Sequence, residues 1–470
     1  MKFKIQLTTQ QEAGEEIQEL VCLERETEGL EALGITLAEA KALLATLQRQ
    51  VVEQQLAAYL AARQRCPHCG QEFRHKDRHP VVFRTLFGNL EFSSPRWFRC
   101  DCQPHETRTF SPLADLLTGH CSPERLYLET KWASLVSFEL AAQLLGDVLP
   151  TGAHIRATSV HNHLRRVAKR SESGLGEEQC SFIDGCPREW AALPRPLAPF
   201  TVGIDGGYLR QWDDKKAHFE VIVGKSIPEE GGGKCFGLVQ SYDDKPKRRL
   251  FEVLKSQGMQ MNQQITFISD GGETVRSLQL YLNPEAEHLL DWFHVTMRLT
   301  VLNQTAKGLP TTVGADDEER ELKEPALKAL ESIKWYLWHG NTYPALQHLE
   351  TLEMDLDAAV EDGKDPTAQK LLRAVEEFHT YIANNQAFIP NYGERYRQGD
   401  RISTGFVESA VNYVVAKRCS KRQQMQWSPE GAHLLLQTRI KVLNGELEQT
   451  FRGWYPGFRP DRVENLKMAA

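Results

Sequence analysis

The stretch PFTVGIDGGYLR, residues 199–210, decides the predicted fold of this chain of 470 residues. It has the pattern of an apolar strand that carries one aspartate, Asp205, followed by two glycines. Two further strands, AHFEVIVGKSI and KCFGLVQSYD, are predicted directly after it. A helix in KRRLFEVLKSQGM, a strand in QITFISDGG, a helix in TVRSLQLYL and a strand in HLLDWFHV follow. Three strands and then alternating helices and strands favour an α/β layer over a β-sandwich.

The combination of apolar strand, aspartate and two glycines occurs a second time, in TFISDGG, where the aspartate is Asp270. The glycines leave room beside each carboxylate for a hydrated Mg²⁺ ion and a phosphodiester backbone. A single Asp-Gly dipeptide is more often a turn. Because the pattern recurs on the first and fourth predicted strands, the pair indicates a metal site.

A third acidic ligand is expected later in the chain, at Glu408 in the apolar helical segment FVESAVN. A carboxylate that faces a core without a partner is costly, which favours a ligand; a solvated glutamate on the outer face is the alternative. Three carboxylates that hold two Mg²⁺ or Mn²⁺ ions would activate a water or a DNA 3′-OH for in-line attack on phosphorus. This is the chemistry of the RNase H-like nucleases.

Upstream of this layer, the sequence predicts a structural zinc site. Cys66 and Cys69 form a Cys-x-x-Cys turn with Gly70, and Cys100 and Cys102 follow after a predicted hairpin. Four thiolates on two turns suit tetrahedral zinc and leave no open position for catalysis. His68 or His105 could replace one thiol, since the second pair is Cys-x-Cys. Four unrelated buried thiols are the alternative.

A helix pair between residues 138 and 169 resembles a helix-turn-helix. Its second helix, ATSVHNHLRRV, would bury Val160, Leu164 and Val167. The side chains predicted to face DNA are His161, Asn162, Arg165 and Arg166. Small polar and basic groups on an exposed helix suit the major groove. The connecting segment is longer than a minimal turn, so a plain αα-hairpin is the alternative.

The composition is that of an ordinary globular chain, with 41% hydrophobic and 25% charged residues. We find neither a membrane-length apolar run nor a signal peptide, so a cytoplasmic protein with reduced cysteines is expected. The net charge of -7 argues weakly against nucleic acid. Residues 63–99, 156–170 and 417–422 are nevertheless locally basic, and phosphate contacts need only local positive surface.

Taken together, the motifs resemble one family, the bacterial insertion-sequence transposases of the ISKra group, which are related to the Mutator-like DDE enzymes. The resemblance covers residues 66–454. It rests on CPHCG, RTLFGNLEF, VGIDGGYLR, FISDGG, DWFHV, TGFVESAVNYVV and QMQWSPEGAHLLLQTRIKVLNG, in that order. It implies an RNase H-like catalytic domain, with Asp205, Asp270 and Glu408 as its triad, interrupted by an all-helical insertion before the glutamate.

The expected organisation is multidomain α/β with additional helices. Its parts are an N-terminal helical segment (1–60, a possible oligomerisation arm), a zinc-ribbon-like domain (61–120), a helix-turn-helix-like DNA-binding domain (121–170), a linker (171–197), the RNase H-like domain (198–300 and 391–450), the helical insertion (301–390) and a C-terminal tail (451–470).

The resemblance also implies roles for residues near the triad. Asp291 and His294 form an Asp-x-x-His motif expected close to the catalytic centre, although a histidine packed in the core is an equal alternative. The basic residues expected to grip DNA beside the site are Lys417, Arg418, Lys421 and Arg422, for which a solvated basic face is the alternative. Core packing is favoured over base stacking for Trp335 and Trp338.

The function that the resemblance implies is DNA transposition. The chain would bind the terminal inverted repeats of an insertion sequence, cleave the strands and join the freed 3′-OH to target DNA. A homodimer is expected, because two ends must be brought together. An RNase H-like nuclease without transposition activity and a catalytically inactive DNA-binding regulator are the alternatives.

Overall fold

The computed structural model describes residues 1–460 apart from 12–13, 26–28, 31–32, 103–106, 152–154, 195–199, 215, 229–230, 314–319, 364 and 421–424. The fold is mixed α/β, as predicted. The chain divides into two compact units. The first contains Met1–Ser171 and the chain from Gly445 onward, and the second contains Glu172–Asn444.

The first unit begins with two antiparallel strands, β1 (Lys2–Gln11) and β2 (Gly14–Glu24), followed by helix α1 (Leu37–Ala61). The prediction of helix throughout residues 1–60 is therefore wrong for Lys2–Gln11 and Gly14–Glu24. The physical reason is visible in KFKIQLT, where apolar and polar residues alternate with the period of two that a strand requires. The helical prediction holds for α1, whose buried residues are Val52 and Leu56.

A three-stranded antiparallel sheet follows, made of β3 (His75–Thr85), β4 (Gly88–Phe98) and β5 (Thr109–Phe110) in that order. The predicted hairpin is confirmed by the β3–β4 pairing. Val81 and Leu90 of this hairpin pack in one core with Val52 and Leu56 of α1. The sheet is thereby attached to the long helix by apolar contacts.

Four helices complete the first unit: α2 (Pro123–Leu135), α3 (Phe138–Val148), α4 (Ala157–Glu172), whose last residue belongs to the second unit, and α15 (Leu447–Trp454). The predicted buried residues of α4 are confirmed, because Val160, Leu164 and Val167 are at most 5% exposed. A buried network also holds this region together. Glu129 of α2 accepts hydrogen bonds from Arg125, at 2.7 Å, and from His163 of α4.

The second unit starts with the short helix α5 (Pro187–Ala191) and then forms a five-stranded sheet. The elements of this layer are β6 (Phe200–Arg210), β7 (His218–Ile227), β8 (Lys234–Val239), α6 (Pro246–Ser256), β9 (Ile265–Ser269), α7 (Glu273–Ser277) and β10 (Ala286–Leu290). Their spatial order is β10-β9-β6-β7-β8. The strands β6, β7 and β8 are antiparallel neighbours, whereas β9 runs parallel to both β6 and β10.

The remaining helices of the second unit follow β10 in the chain, up to the end of the unit at Asn444. They are α8 (Trp292–Ala306), α9 (Lys323–Trp338), α10 (Thr342–Gly363), α11 (Pro366–Asn385), a 3-10 turn (Gln386–Phe388), α12 (Tyr392–Gln398), α13 (Gly405–Val411), a π-helical segment (Asn412–Ser420) and α14 (Pro429–Leu443). Two short strands, β11 (Thr312–Val313) and β12 (Arg320–Glu321), pair after α8.

The long helical stretch predicted before Glu408 is present, but it begins earlier than expected. HLLDWFHV is not one strand, because β10 ends at Leu290 and Asp291 caps α8 by accepting a hydrogen bond from the Phe293 N–H. An aspartate at this position satisfies a backbone donor that the first helical turn leaves without a partner. None of the described helices has both the length and the apolar character needed to cross a membrane.

Candidate functional site

Asp205 lies on β6, and Asp270 directly follows β9, the parallel neighbour of β6. The register between β6 and β9 ends with Gly203 opposite Ile268, and each aspartate comes two positions later in its segment. Because parallel neighbours advance together, both aspartates follow the paired residues at the same interval, and the charge of Asp270 acts on Asp205. The structure therefore brings together the two carboxylates that the repeated Asp-Gly-Gly pattern singled out.

The surroundings of Asp205 disfavour its charged form. The side chain is partly buried, and burial is the largest cause that raises the pKa of Asp205. The negative charges of Asp270 and Asp291 raise it further, against a hydrogen bond from the Gly206 N–H at 2.8 Å and the nearby His294. Among the described residues, no Lys or Arg forms an ion pair with either Asp205 or Asp270.

Asp291 is fully buried, and its carboxylate is already saturated with hydrogen bonds. One oxygen accepts from the N–H groups of Phe293, at 2.9 Å, and Thr404, at 3.1 Å. The other is bonded to His294 Nδ1, at 2.7 Å, and to the Thr404 hydroxyl. Asp291 is thus placed to orient its neighbours and has little capacity left for a metal ion.

His294 is the partner that Asp291 orients. Its hydrogen bond to Asp291 is the main cause that raises the pKa of His294, against burial, and the charges of Asp291, Asp205 and Asp270 act in the same direction. The imidazole therefore belongs electrostatically to the Asp205–Asp270 cluster. This agrees with the predicted location of the Asp-x-x-His motif and disfavours an isolated core histidine.

Glu408 lies on α13, which packs over β6. The close packing needs Gly203, because a Cβ there would lie 2.2 Å from Val407. Thr404, one helical turn before Glu408, bonds Asp291, so this helix is tied to the aspartate cluster. The Glu408 side chain itself is exposed. The expectation that it faces a core is therefore wrong, and the solvated alternative describes it.

The helices between β10 and α13 support the loop that carries Asp270. The Tyr381 hydroxyl of α11 donates to the Asp270 carbonyl at 3.0 Å. Gly271 has φ +84°, and a Cβ there would lie 2.5 Å from Asn385 Oδ1. Only glycine fits this left-handed turn against α11. The helical stretch is thus part of what positions the second aspartate.

One acidic residue near the cluster, Glu220 of β7, was missed by the sequence analysis. Its pKa is raised by burial and by the charge of Asp270. Its carboxylate also lies 3.0 Å from where a Cβ of Gly206 would be. The only available signal was one acidic residue in HFEVIVGKSI, which is common on a strand that is partly exposed.

A groove with a volume of about 810 Å³ opens beside Asp270. Gly271 lines it together with Arg276 of α7 and Arg298 of α8. The Arg298 guanidinium lies 4.3 Å from the centre of the Tyr381 ring, and the Arg276 guanidinium lies 5.1 Å from that of Phe388. Two cations held on aromatic rings therefore line the approach to the second aspartate, together with acidic residues that include Glu376.

Within the described residues, two groups of three or more metal-ligating side chains have their ligand atoms within 4.8 Å of one another. The first consists of Cys66, Cys69, Cys100 and Cys102, and the second of Glu172, Asp243 and His433. Oxygen atoms of Asp205, Asp270 and Glu408 consequently do not all fall within that distance.

The four predicted cysteines do converge, in the first unit. Gly70 has φ +72°, as the tight turn after Cys69 requires, and its N–H donates to the Cys66 carbonyl at 2.9 Å. Hydrogen bonds from the Cys69 backbone, the Cys100 thiol and the His68 backbone lower the pKa of Cys66 to about 6, which favours the thiolate. The cluster could hold a structural metal ion such as zinc. Cys102, and not His68, completes it, while His105 lies outside the described residues.

The residues predicted to contact DNA are placed unevenly. On α4, Asn162 and Arg166 are exposed, whereas His161 and Arg165 are partly buried and the His161 ring packs on Phe138 at 4.9 Å. In the π-helical segment, Lys417 lies over the Tyr413 ring, and Arg418 is buried beside Trp427. A buried Arg418 does not fit the predicted role in gripping DNA. Lys421 and Arg422 lie outside the described residues.

The two tryptophans of α9 differ from each other. Trp338 packs against the helical core and lies 5.1 Å from the Trp292 ring, as the core-packing prediction expects. Trp335 is 51% exposed, so core packing is wrong for this residue. The stripe of buried residues on α9 is Ala326, Leu330, Ile333 and Leu337, which leaves Trp335 on the other side.

The group of Glu172, Asp243 and His433 already contains a cationic side chain. Arg249 Nη2 donates to Glu172 at 2.7 Å, and Arg249 Nε donates to Asp243 at 2.8 Å. His433 Nε2 lies 3.3 Å from Glu172. Burial alone would raise the pKa of Glu172, but the bonds from His433 and Arg249 lower it to about 2. We interpret this group as an ion network and not as a metal site.

Comparison with known proteins adds no family to this geometry. No protein-family model matches the chain, and no curated protein is similar to it.

Proposed function

We propose that the chain is a metal-dependent DNA transposase of the DDE type, similar to the insertion-sequence enzymes of the ISKra group. The observation that carries the proposal is the pair Asp205, on β6, and Asp270, directly after the parallel strand β9, with no Lys or Arg of the described residues in an ion pair with either. The negative charges of these two carboxylates are not balanced by a described Lys or Arg. A divalent cation would balance them.

The sheet supports an RNase H-like catalytic domain. An RNase H-like layer has three antiparallel strands followed by two parallel ones, with the first strand in the middle. The order β10-β9-β6-β7-β8, with β6 central, has these directions. The helices from α8 to α12 come between β10 and α13, where the proposed family carries its insertion.

In this proposal Asp205 and Asp270 would hold Mg²⁺ or Mn²⁺, with Glu408 and Glu220 as further candidates for ligands. When bound, two such ions would activate the attacking oxygen and stabilise the leaving oxygen at phosphorus. For Glu408 to contribute, the exposed carboxylate must turn toward the aspartates when substrate and metal bind.

The other residues of the cluster act by positioning and charge. Asp291 holds His294 by its Nδ1 and keeps the imidazole beside the aspartates. Tyr381 fixes the backbone of Asp270 through its hydroxyl. Arg276 and Arg298, in the groove next to Asp270, are suited to phosphates of the strand that enters the site.

The first unit would supply DNA recognition. The cysteine cluster would hold zinc as a structural ion, and the exposed Asn162 and Arg166 of α4 would contact duplex DNA. A homodimer that brings two inverted repeats together, acting in the bacterial cytoplasm, belongs to the same proposal.

The test is an end-joining assay with Mg²⁺ and labelled duplexes that carry the inverted repeats flanking the chain's own reading frame. We expect cleaved and joined products from the natural sequence. Asp205→Asn should abolish them while end binding is retained, and the exposed Asp213→Asn should change neither. Cleavage without joining would indicate a nuclease, and binding without any chemistry a regulator.

A further inference from the structure

A small basic cavity lies beside the cysteine cluster in the first unit. It has a volume of about 380 Å³ and is formed where the end of α1, the Cys66 turn and the chain before Cys100 meet. Its charged side chains are Arg63, Arg65, Arg99 and a single carboxylate, that of Asp115. Three guanidinium groups thus converge on one concave surface.

Two of these arginines are held by aromatic rings. The Arg63 guanidinium lies 3.6 Å from the centre of the Tyr59 ring, and that of Arg99 lies 4.8 Å from the centre of Phe110. Phe73 packs edge-on against Phe110 at 5.0 Å. Stacking on a ring leaves the N–H groups at the guanidinium edge available to a ligand and restricts the motion of the side chain.

None of Arg63, Arg65 and Arg99 forms an ion pair with a described residue. The Nε of Arg99 is buried and has no hydrogen-bond acceptor in the part of the chain that the structure describes. A buried donor without an acceptor costs free energy, so an external acceptor would be favourable there.

We propose that this arginine cavity binds the phosphate backbone of double-stranded DNA. Guanidinium groups match phosphate oxygens with paired hydrogen bonds, and the cavity holds three of them. The surrounding segment, residues 63–99, carries eight Lys and Arg against three Asp and Glu, in a chain whose net charge is -7. The choice of DNA as the phosphate partner rests on the proposed function.

The cavity adds a contact that sequence motifs did not assign. Such a contact would position the first unit on DNA without reading its sequence, because phosphates are the same at every base pair. The arginines would therefore contribute equally to binding of inverted repeats and of unrelated duplexes.

The experiment measures binding of the full chain to a fluorescent duplex by anisotropy at several salt concentrations. The test variant is Arg63→Gln with Arg99→Gln. The control is Arg49→Gln, on the same helix as Tyr59 but outside the cavity, where its only described ion pair is with Glu53 at 3.9 Å. Each protein is also assayed for zinc content and thermal unfolding.

We expect the double variant to bind about 10-fold or more weakly and the salt dependence of log Kd to fall by about 2, on repeats and unrelated DNA alike. The control should match the natural sequence. Arg63→Lys with Arg99→Lys should recover part of the salt dependence, since it keeps the charges.

Three outcomes would overturn the inference. Unchanged affinity and salt dependence would mean that the arginines do not contact phosphate. A loss of zinc from the double variant, with DNA affinity unchanged once zinc is restored, would mean that the arginines only balance the charge of the thiolates. If the natural sequence binds no DNA, the proposed function fails as well.

Discussion

Two acidic clusters of the second unit differ in whether the chain supplies their positive charge. Glu172 and Asp243 surround Arg249, which bonds both, and the pKa of Glu172 falls to about 2. Asp205 and Asp270 have no such arginine or lysine among the described residues, and burial with neighbouring charge raises the pKa of Asp205. The difference teaches that closeness of ligand atoms is a poor guide to metal sites. The group around Arg249 is complete without a metal ion, whereas in the proposed function a divalent cation supplies the positive charge that Asp205 and Asp270 lack among the described residues.

The largest expected effect is on strand cleavage, which substitutions in the Asp205–Asp270 pair should abolish and a substitution in the Arg249 group should not. Asp205→Asn and Asp270→Asn should each lower Mg²⁺-dependent strand cleavage by about 10³-fold or more, because each removes a charged ligand from the metal ions proposed to act on the phosphate. Asp243→Asn should lower stability and leave the turnover of the folded protein within a few-fold. Single-turnover cleavage checks this prediction. Equal losses from Asp205→Asn and Asp243→Asn would remove the distinction between the clusters.

The second prediction concerns Arg249 itself. Arg249→Ala leaves Glu172 and Asp243 without their cationic partner, so the free energy of unfolding should fall by about 3–5 kcal/mol. Added Zn²⁺ should restore part of that loss, since the freed carboxylates and His433 could then act as ligands. Denaturant titrations with and without Zn²⁺ measure both effects. Stabilisation of the natural sequence by the same Zn²⁺, beyond that from the cysteine cluster, would mean that Arg249 does not fill the site.

The third prediction is the pH dependence of the same network. The pKa of Glu172 lies below its ordinary value of 4.5, so the network stabilises the folded state above about pH 4.5 and loses this contribution as the pH falls toward about 2. The contribution corresponds to about 3 kcal/mol. Glu172→Gln should be less stable at pH 7 and lose less on acidification. If the free energy of unfolding changes with pH in the same way for both proteins, Glu172 is not the group responsible for the acid-dependent loss.

The sequence predicted what local patterns encode. Asp205 and Asp270 were found because one pattern of strand, aspartate and glycines occurs twice, and the cysteines because ligand spacing within a turn is local. The hairpin at β1 and β2 was missed because the Ala-, Gln- and Glu-rich sequence of α1 dominated the interpretation of residues 1–60, although the alternation was visible.

Contacts between distant segments could not be predicted in this way. Thr404 bonds Asp291, Tyr381 bonds the Asp270 backbone, and Arg249 joins Glu172 to Asp243, all across long separations in sequence. Only the folded chain brings these partners together. The same limit applies to Glu408, whose apolar neighbours predicted burial, whereas the helix turns its carboxylate to the solvent.

The smallest expected effect is a difference in stability between the two clusters when no metal ion is bound. The raised pKa of Asp205 means that its charged form disfavours folding, so this cost appears as the pH rises through the pKa and is absent below it. In EDTA at pH 8, Asp205→Asn should therefore raise the free energy of unfolding slightly. The matched change in the other cluster, Asp243→Asn, should lower it under the same conditions.

Saturating Mg²⁺ should make the natural sequence more stable than Asp205→Asn, the reverse of their order in EDTA. A cation bound to the folded state stabilises it by about 1–2 kcal/mol at roughly ten times its dissociation constant, and Asp205→Asn would lose this gain. Thermal unfolding of both proteins in EDTA and in Mg²⁺ gives the four values needed. The expected sign change arises because the same carboxylate repels its neighbours without a metal ion and binds the ion when it is present. If Asp205→Asn is less stable in EDTA as well, the carboxylate has a stabilising partner in the folded chain, and the contrast with Glu172 is lost.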